Sequence, residues 1–113
     1  MNIIALKSTN LEMTEAIKAY IEKRLSGLDK ILSNFPTPQD AHVEVGKTTN
    51  HHKKGDIFRC EVNLHLLCKV LRAECESNNL YTAIDLSKDD LARQINSFKE
   101  KMINQKRRPS GQE

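Results

Sequence analysis

The sequence predicts an α+β domain: a two-layer sandwich in the order β-α-β-β-β-α, with two helices on one face of a four-stranded sheet. Two observations support this prediction. Apolar and polar residues alternate over residues 58–66, which is typical of a strand with one buried face. Over residues 79–102, apolar residues recur at steps of three, four and seven positions, which indicates a helix with one apolar stripe. Such a sheet and such helices can bury their apolar surfaces against each other.

The first strand and the first helix lie near the start of the chain. Ile3, Ile4 and Leu6 form a short β-rich segment that polar residues end. Thr14 is a suitable N-cap for a helix over residues 15–31, because its hydroxyl can accept a hydrogen bond from a free backbone N–H. A connection with two prolines follows. We expect the first strand, this helix and the next strand to form a right-handed parallel crossover.

Three further strands are predicted as an antiparallel meander. Residues 41–47 alternate as a half-buried strand, and residues 48–56 lack periodicity and are expected to form an exposed loop. With Cys68 and Lys69 as the turn of the last hairpin, the expected cross-strand pairs are Leu66 with Leu71, Leu64 with Ala73 and Val62 with Cys75. Because neither turn residue favours a positive φ, a longer loop is an alternative. An even change in loop length would leave the same residues on the buried face of the sheet.

The last predicted helix has the clearest apolar stripe. Asn78 or Asn79 can cap its start, and Asp85 lies close enough to that end to favour the helix dipole. Ile84 and Leu91 lie on the stripe or beside it, so we expect both to be buried against the sheet.

Composition and motifs argue against a membrane protein, a secreted protein and an enzyme. No apolar run approaches the roughly 20 residues of a membrane span, and the start lacks the features of a signal peptide, so a cytoplasmic location is expected. The cysteines form no CxxC pair and the histidines lack metal-ligand spacing, so we expect no metal and no cofactor. Cys60 and Cys75 fall on the predicted buried face, where a thiolate is disfavoured. Without a phosphate-binding glycine loop or a nucleophile motif, no catalysis and no small-molecule substrate are expected.

Positive charge collects toward the C-terminus. Residues 99–108 hold five basic residues and one acid, Glu100, an excess of +4 against +3 for the whole chain. A charged helix face is usually only a solvated face, and this is the alternative to a binding role. A rigid sandwich with a basic helix and tail also suits a polyanion such as RNA. Because aromatic residues make up only 4% of the chain, contact with phosphates is the better expectation than base stacking.

Two stretches resemble the ribosome hibernation promoting factor family. The shared features are Glu12-x-Thr14-x-Ala16, Tyr20, Arg24-Leu25 and Leu28 in the first, and Leu80-Tyr81-x-Ala83-Ile84-Asp85 and Leu91-x-Arg93-Gln94 in the second. The resemblance covers about residues 1–102 and implies the same strand order in a short family member. It also implies a protein that occupies the decoding channel of the small ribosomal subunit and stops translation under stress by steric occlusion. The expected partners are that subunit and its RNA, with a monomer off the ribosome.

The resemblance and the charge pattern together indicate which residues contact RNA. The predicted RNA-binding residues are Arg24, Lys30, Lys47, Lys88, Arg93, Lys99, Lys101, Lys106, Arg107 and Arg108. The family is often basic at the positions of Thr9, Gly27, Asp90 and Ser97. We expect residues 1–103 to form the ribosome-binding domain and residues 104–113 a basic, disordered tail.

Two other functions stay open. One is a regulator that acts by protein interaction, of the sigma-factor modulator type, whose charged helices only keep it soluble. The other is a generic double-stranded RNA-binding module, because the last three strands and helix have the same order as that domain. Similarity of fold does not decide between these functions.

Overall fold

The computed structural model describes residues 1–49, 55–67 and 69–107. Its elements are β1 (Asn2–Thr9), α1 (Glu15–Ser26), α2 (Asp29–Leu32), β2 (Asp40–Thr49), β3 (Asp56–His65), β4 (Val70–Ser77) and α3 (Leu80–Arg107). The strands form one four-stranded sheet in the order β1-β2-β3-β4. β1 and β2 are parallel, and the other two pairs are antiparallel. The predicted α+β class and the parallel pairing of the first two strands are confirmed.

The core lies between the sheet and the helices. α3 packs on β3 and β4 and also contacts α1 and α2. Ile84 and Leu91 of α3 are 1% and 0% exposed, as predicted, and Ile21 of α1 is fully buried. Ser87, a buried polar residue of α3, donates a hydrogen bond to the Cys60 carbonyl of β3 at 2.9 Å. This bond satisfies a hydroxyl that would otherwise be costly to bury.

The predicted helix over residues 15–31 is in fact two helices. The Thr14 hydroxyl caps α1 by accepting a hydrogen bond from the Ile17 N–H at 3.1 Å. At Gly27 the backbone N–H bonds to the Arg24 carbonyl at 3.2 Å, and the Leu28 N–H bonds to the Leu25 carbonyl at 2.9 Å. These bonds span three residues instead of four, so the chain tightens and α1 ends before α2 begins.

The last hairpin lies two residues out of the predicted register. The observed pairs are Leu64 with Leu71, Val62 with Ala73 and Cys60 with Cys75. The connection therefore spans residues 66–69, and the Leu66 N–H bonds to the Lys69 carbonyl at 2.8 Å. Because the shift is even, the apolar residues keep the buried face. Cys60 is buried, but Cys75 is only partly buried, which corrects the expectation for the second thiol.

Several boundaries differ from those predicted. β1 is longer than predicted, β2 reaches Thr49 and β3 begins at Asp56, so residues 48, 49 and 56 of the expected exposed loop lie in strands, and residues 50–54 are outside the described residues. α3 continues to Arg107, so it includes the first four residues of the predicted tail. Residues 108–113 are outside the described part of the chain, and the division into domain and tail stays a prediction. None of the described helices is apolar enough over sufficient length to cross a membrane.

Candidate nucleic-acid interface

A cluster of polar and aromatic side chains joins α1 and α3. We call Tyr20, Arg24, Tyr81 and Asp85 the inter-helix cluster. The Asp85 carboxylate lies 2.7 Å from the Nε of Arg24, and the Tyr20 hydroxyl donates to it at 2.8 Å. The Tyr81 ring packs edge-on against Tyr20, with ring centroids 4.7 Å apart. The hydrogen bond to Asp85 raises the pKa of Tyr20 above its ordinary value, so this hydroxyl stays protonated.

Lys88 lies beside the end of α1, next to Gly27. A Cβ added to Gly27 would be 3.6 Å from the Cε of Lys88. The Nζ of Lys88 also lies 3.8 Å from an Asp89 carboxylate oxygen, and the side chain is partly buried. Lys88 thus places a positive charge next to the glycine, although the glycine itself carries none.

A second group of cations lies between α3 and the start of β4. We call the groove lined by Lys69, Arg93, Gln94, Ser97, Phe98 and Lys101, with the adjoining residues of β4, the basic groove; its volume is about 300 Å³. The Nζ of Lys69 stands 5.2 Å from the centre of the Phe98 ring, within cation–π range. Arg93 is 73% exposed and lies 3.4 Å from an Asp90 carboxylate oxygen.

Lys69 was missed by the sequence prediction, which assigned it only to the hairpin turn. The longer connection and the long helix bring it beside Arg93 and Lys101. Among the described residues, these three cations have one directly paired carboxylate, that of Asp90, so the groove has an excess of positive charge. Such a surface can donate hydrogen bonds to phosphate oxygens.

The other predicted contacts lie elsewhere. Lys47 pairs with Asp56 at 3.2 Å, and Lys30 is exposed in α2. Lys99 lies beside Phe35, on the other side of α3 from Lys101. Lys106 and Arg107 belong to α3, and Arg108 lies outside the described residues. The structure therefore distributes the predicted cations over several surfaces instead of one shared helix face.

Two other surfaces have more nearly balanced charge. On the open sheet face, Arg59 contacts Glu44, Glu61 and Glu74, and Arg72 contacts Glu61 and Glu74. The hydrogen bond to Glu74 raises the pKa of Arg59 above its ordinary value. A groove of about 560 Å³ between β1 and α1 contains Lys18, Glu22 and Asp29. Counting the described residues, neither surface has the excess of cations that a polyanion requires.

The described residues also bear on metal binding. Within residues 1–49, 55–67 and 69–107, no three His, Cys, Asp or Glu side chains come close enough together to hold a metal ion. His42 and His65 are neighbours, with ring centroids 4.8 Å apart on the open sheet face. Burial raises the pKa of the Cys60 thiol to about 11, which disfavours the thiolate that a metal or a nucleophilic reaction needs.

A two-layer α+β sandwich with an excess of cations along its long helix is a small domain suited to a polyanionic partner. Residues 4–103 match the profile described as Sigma 54 modulation protein / S30EA ribosomal protein, and the chain belongs to this family. The resemblance found in the sequence is therefore confirmed.

Two curated relatives are ribosome hibernation promotion factors. That of Picosynechococcus is 34% identical over 103 residues, which cover 91% of this chain and 52% of the relative. That of Staphylococcus aureus is 36% identical over 102 residues, which cover 90% of this chain and 50% of the relative. The chain thus spans about half the length of these curated relatives.

Two solved structures share the fold. The N-terminal domain of Thermus thermophilus Protein Y has a TM-score of 0.71 and 35% identity, and the match covers 87% of this chain and 99% of that one. A ribosomal subunit interface protein from Coxiella burnetii also has a TM-score of 0.71, with 88% of this chain and 99% of that chain covered. At 19% identity, the second likeness concerns the fold alone.

Proposed function

We propose that this protein binds the small ribosomal subunit in the decoding channel, where messenger RNA and transfer RNA would lie, and inhibits translation under stress. The observation that carries the proposal is the basic groove, which Lys69, Arg93 and Lys101 line in a chain that belongs to this family. The relatives named as ribosome hibernation promotion factors support the same function. A ribosome-bound factor works in the cytoplasm.

The proposed mechanism is steric and requires no catalysis. The cations of the basic groove and Arg24 donate hydrogen bonds to phosphates of ribosomal RNA and release the counterions held there. A helix packed on a sheet is a rigid body, so the bound domain excludes other ligands from the volume it fills. The protein is a monomer before it binds and needs no cofactor.

Co-sedimentation with purified ribosomal subunits at two salt concentrations tests this function. We expect binding to the small subunit that weakens as salt rises, because phosphate contacts depend on counterion release. Free double-stranded RNA of mixed sequence serves as the competitor. Equal binding to this duplex would favour a generic double-stranded RNA-binding module instead. A translation assay, with as much protein as saturates the small subunit in the sedimentation experiment, then checks inhibition.

A second candidate function is regulation by protein interaction. The family description includes sigma 54 modulation, which is the observation that favours it. In that case the small subunit would not retain the protein at any salt concentration. Substitution of Arg93 and Lys101 would then leave ribosome sedimentation unaffected.

A further inference from the structure

Asp85 connects α1 and α3 at the centre of the inter-helix cluster. Its carboxylate accepts the Tyr20 hydroxyl at 2.8 and 2.9 Å and lies 2.7 Å from the Nε of Arg24. The Tyr81 ring covers Tyr20 from the side. These contacts come from both helices, so they fix the carboxylate on two sides.

This arrangement engages only one edge of the Arg24 guanidinium. The Nε is buried and forms an ion pair with the carboxylate at 2.7 Å without the alignment of a hydrogen bond, whereas the side chain as a whole is 38% exposed. Within the described part of the chain, neither terminal nitrogen of Arg24 has an ion pair, and neither is a buried atom without a partner. The two Nη groups are therefore free to donate to an oxyanion in the bidentate geometry that arginine favours.

We propose that Asp85 is a positioning residue for RNA, which holds Arg24 so that its two Nη groups bind one phosphodiester. The inference rests on the proposed function and adds a residue to its site. An exposed arginine loses side-chain freedom when it binds, and a guanidinium already held at Nε loses less. Tyr20 assists because its hydroxyl restrains the same carboxylate.

Charge alone predicts the opposite effect for Asp85. A carboxylate near the interface repels phosphate, so its neutralisation should strengthen RNA binding if Asp85 has no other role. If Asp85 positions Arg24, neutralisation should weaken binding. The sign of the change therefore separates the two explanations.

The experiment compares Asp85→Asn with Asp89→Asn, which removes the same charge from the same helix. The Asp89 side chain is 54% exposed and only approaches Lys88, at 3.8 Å. We expect Asp85→Asn to weaken binding to the small subunit roughly three- to tenfold, the range for releasing one ordered side chain. Asp89→Asn should bind as tightly as the wild type or more tightly. Tyr20→Phe should weaken binding in the same direction as Asp85→Asn.

A double-mutant cycle tests whether Asp85 acts through Arg24. In an Arg24→Ala background, Asp85→Asn should cause no further weakening. Equal weakening with and without Arg24 would overturn the proposal, as would tighter binding by Asp85→Asn in the wild-type background. Thermal unfolding of each variant checks folding, and Tyr20→Phe provides the same test if Asp85→Asn does not fold.

The free protein gives a readout that does not depend on the ribosome. In ¹⁵N NMR, the Arg24 Nε–H should exchange slowly with water in the wild type and in Asp89→Asn, and rapidly in Asp85→Asn. An unchanged exchange rate in Asp85→Asn would refute positioning even if the wild type binds ribosomes. Wild-type protein that fails to bind the small subunit would instead refute the proposed function, while the exchange rates still decide whether Asp85 holds Arg24.

Discussion

The open sheet face and the helix side both carry arginines, but the two regions pair them differently. On the sheet, Arg59 contacts three carboxylates and Arg72 contacts two. On the helix side, Arg24 and Arg93 each contact one carboxylate within the part of the chain that the structure describes. An arginine in the sequence therefore does not identify an interface, because the number of carboxylates around it decides how much of its charge a partner meets.

Strand register explains the pairing on the sheet. Glu44, Glu61 and Glu74 lie directly opposite one another across β2, β3 and β4. Such a row of like charges is unfavourable, and Arg59 and Arg72 lie diagonally on either side of it. The two guanidiniums thus interact mainly with carboxylates of the protein itself. On α3, Asp90 pairs with Arg93 at 3.4 Å, and the Arg93 side chain is still 73% exposed, so a partner can reach its charge.

The largest expected effect concerns the surface where helix and sheet meet. Ile84→Ala should lower the free energy of unfolding by roughly 2–5 kcal/mol, because it opens a cavity at a fully buried site. Thr82→Ala, on the exposed side of the same helix, should change it far less. Urea unfolding followed by circular dichroism measures both. Equal stability of the two variants would show that α3 does not pack on the sheet through Ile84.

Cys60 should make stability depend on pH, because its thiol is buried. It lies next to Arg59 on β3 but on the opposite face of the sheet. Burial raises its pKa from 9.0 to about 11, so above pH 9 the thiol ionises in the unfolded chain before it does so in the folded protein. Stability should therefore fall as the pH rises from 9 toward 11, by about 2 kcal/mol at pH 10.5, and this contribution is absent below pH 9.

Urea unfolding at pH 8 and pH 10.5 checks this expectation. Cys60→Val should lose less stability between the two conditions than the wild type does. Cys75→Val, at the paired position on β4, should behave like the wild type and serves as the control. An identical pH response in all three proteins would mean that the Cys60 thiol does not contribute.

Ribosome binding should distinguish Arg93 from Arg72. The two alanine substitutions are comparable because each removes one positive charge. We expect Arg93→Ala to weaken binding to the small subunit and to lower the slope of log affinity against log salt by about 0.7–0.9. Arg72→Ala should leave both nearly unchanged, because its charge is offset by Glu61 and Glu74. Arg93→Lys should restore the salt slope but not the full affinity, because lysine cannot form the bidentate contact. Equal losses for the two alanine variants would remove the distinction between the regions.

The smallest effect is expected for the stability of Arg72→Ala. This side chain is 59% exposed, so its ion pairs should contribute roughly 0–1 kcal/mol, and less at high salt. Chemical denaturation at low and high ionic strength measures the difference. A loss well above 1 kcal/mol that salt does not reduce would show that the sheet network is a major source of stability.

The alternation of apolar residues in the strands and their helical spacing in the last helix were together sufficient to predict the fold class. The same pattern could not fix the hairpin register, since Leu64 faces the core whether it pairs with Leu71 or Ala73. The break at Gly27 was missed because Leu25 and Leu28 also fit one continuous helix.

The site was less predictable than the fold. Lys99 and Lys101 are close in sequence, but residues two apart on a helix are about 200° apart around its axis, so the pair could not share one face. Lys69 joins the basic groove only through the three-dimensional fold. The role of Asp85 also depends on the contact between α1 and α3, because Arg24 lies on one helix and Asp85 on the other. The apolar pattern of a single helix does not predict that contact.

The length of α3 has a consequence for how local stability is distributed. Its 28 residues extend about 42 Å at 1.5 Å per residue, whereas the eight residues of β4 extend about 26 Å. α3 starts just after β4 ends, so its last turns continue past the strand. In these turns Phe98 and Met102 still pack against the core, whereas Ile103 is 39% exposed, so the amide hydrogen of Ile103 should exchange long before that of the fully buried Leu91. The helix around Ile103 should therefore open while the rest of the domain stays folded.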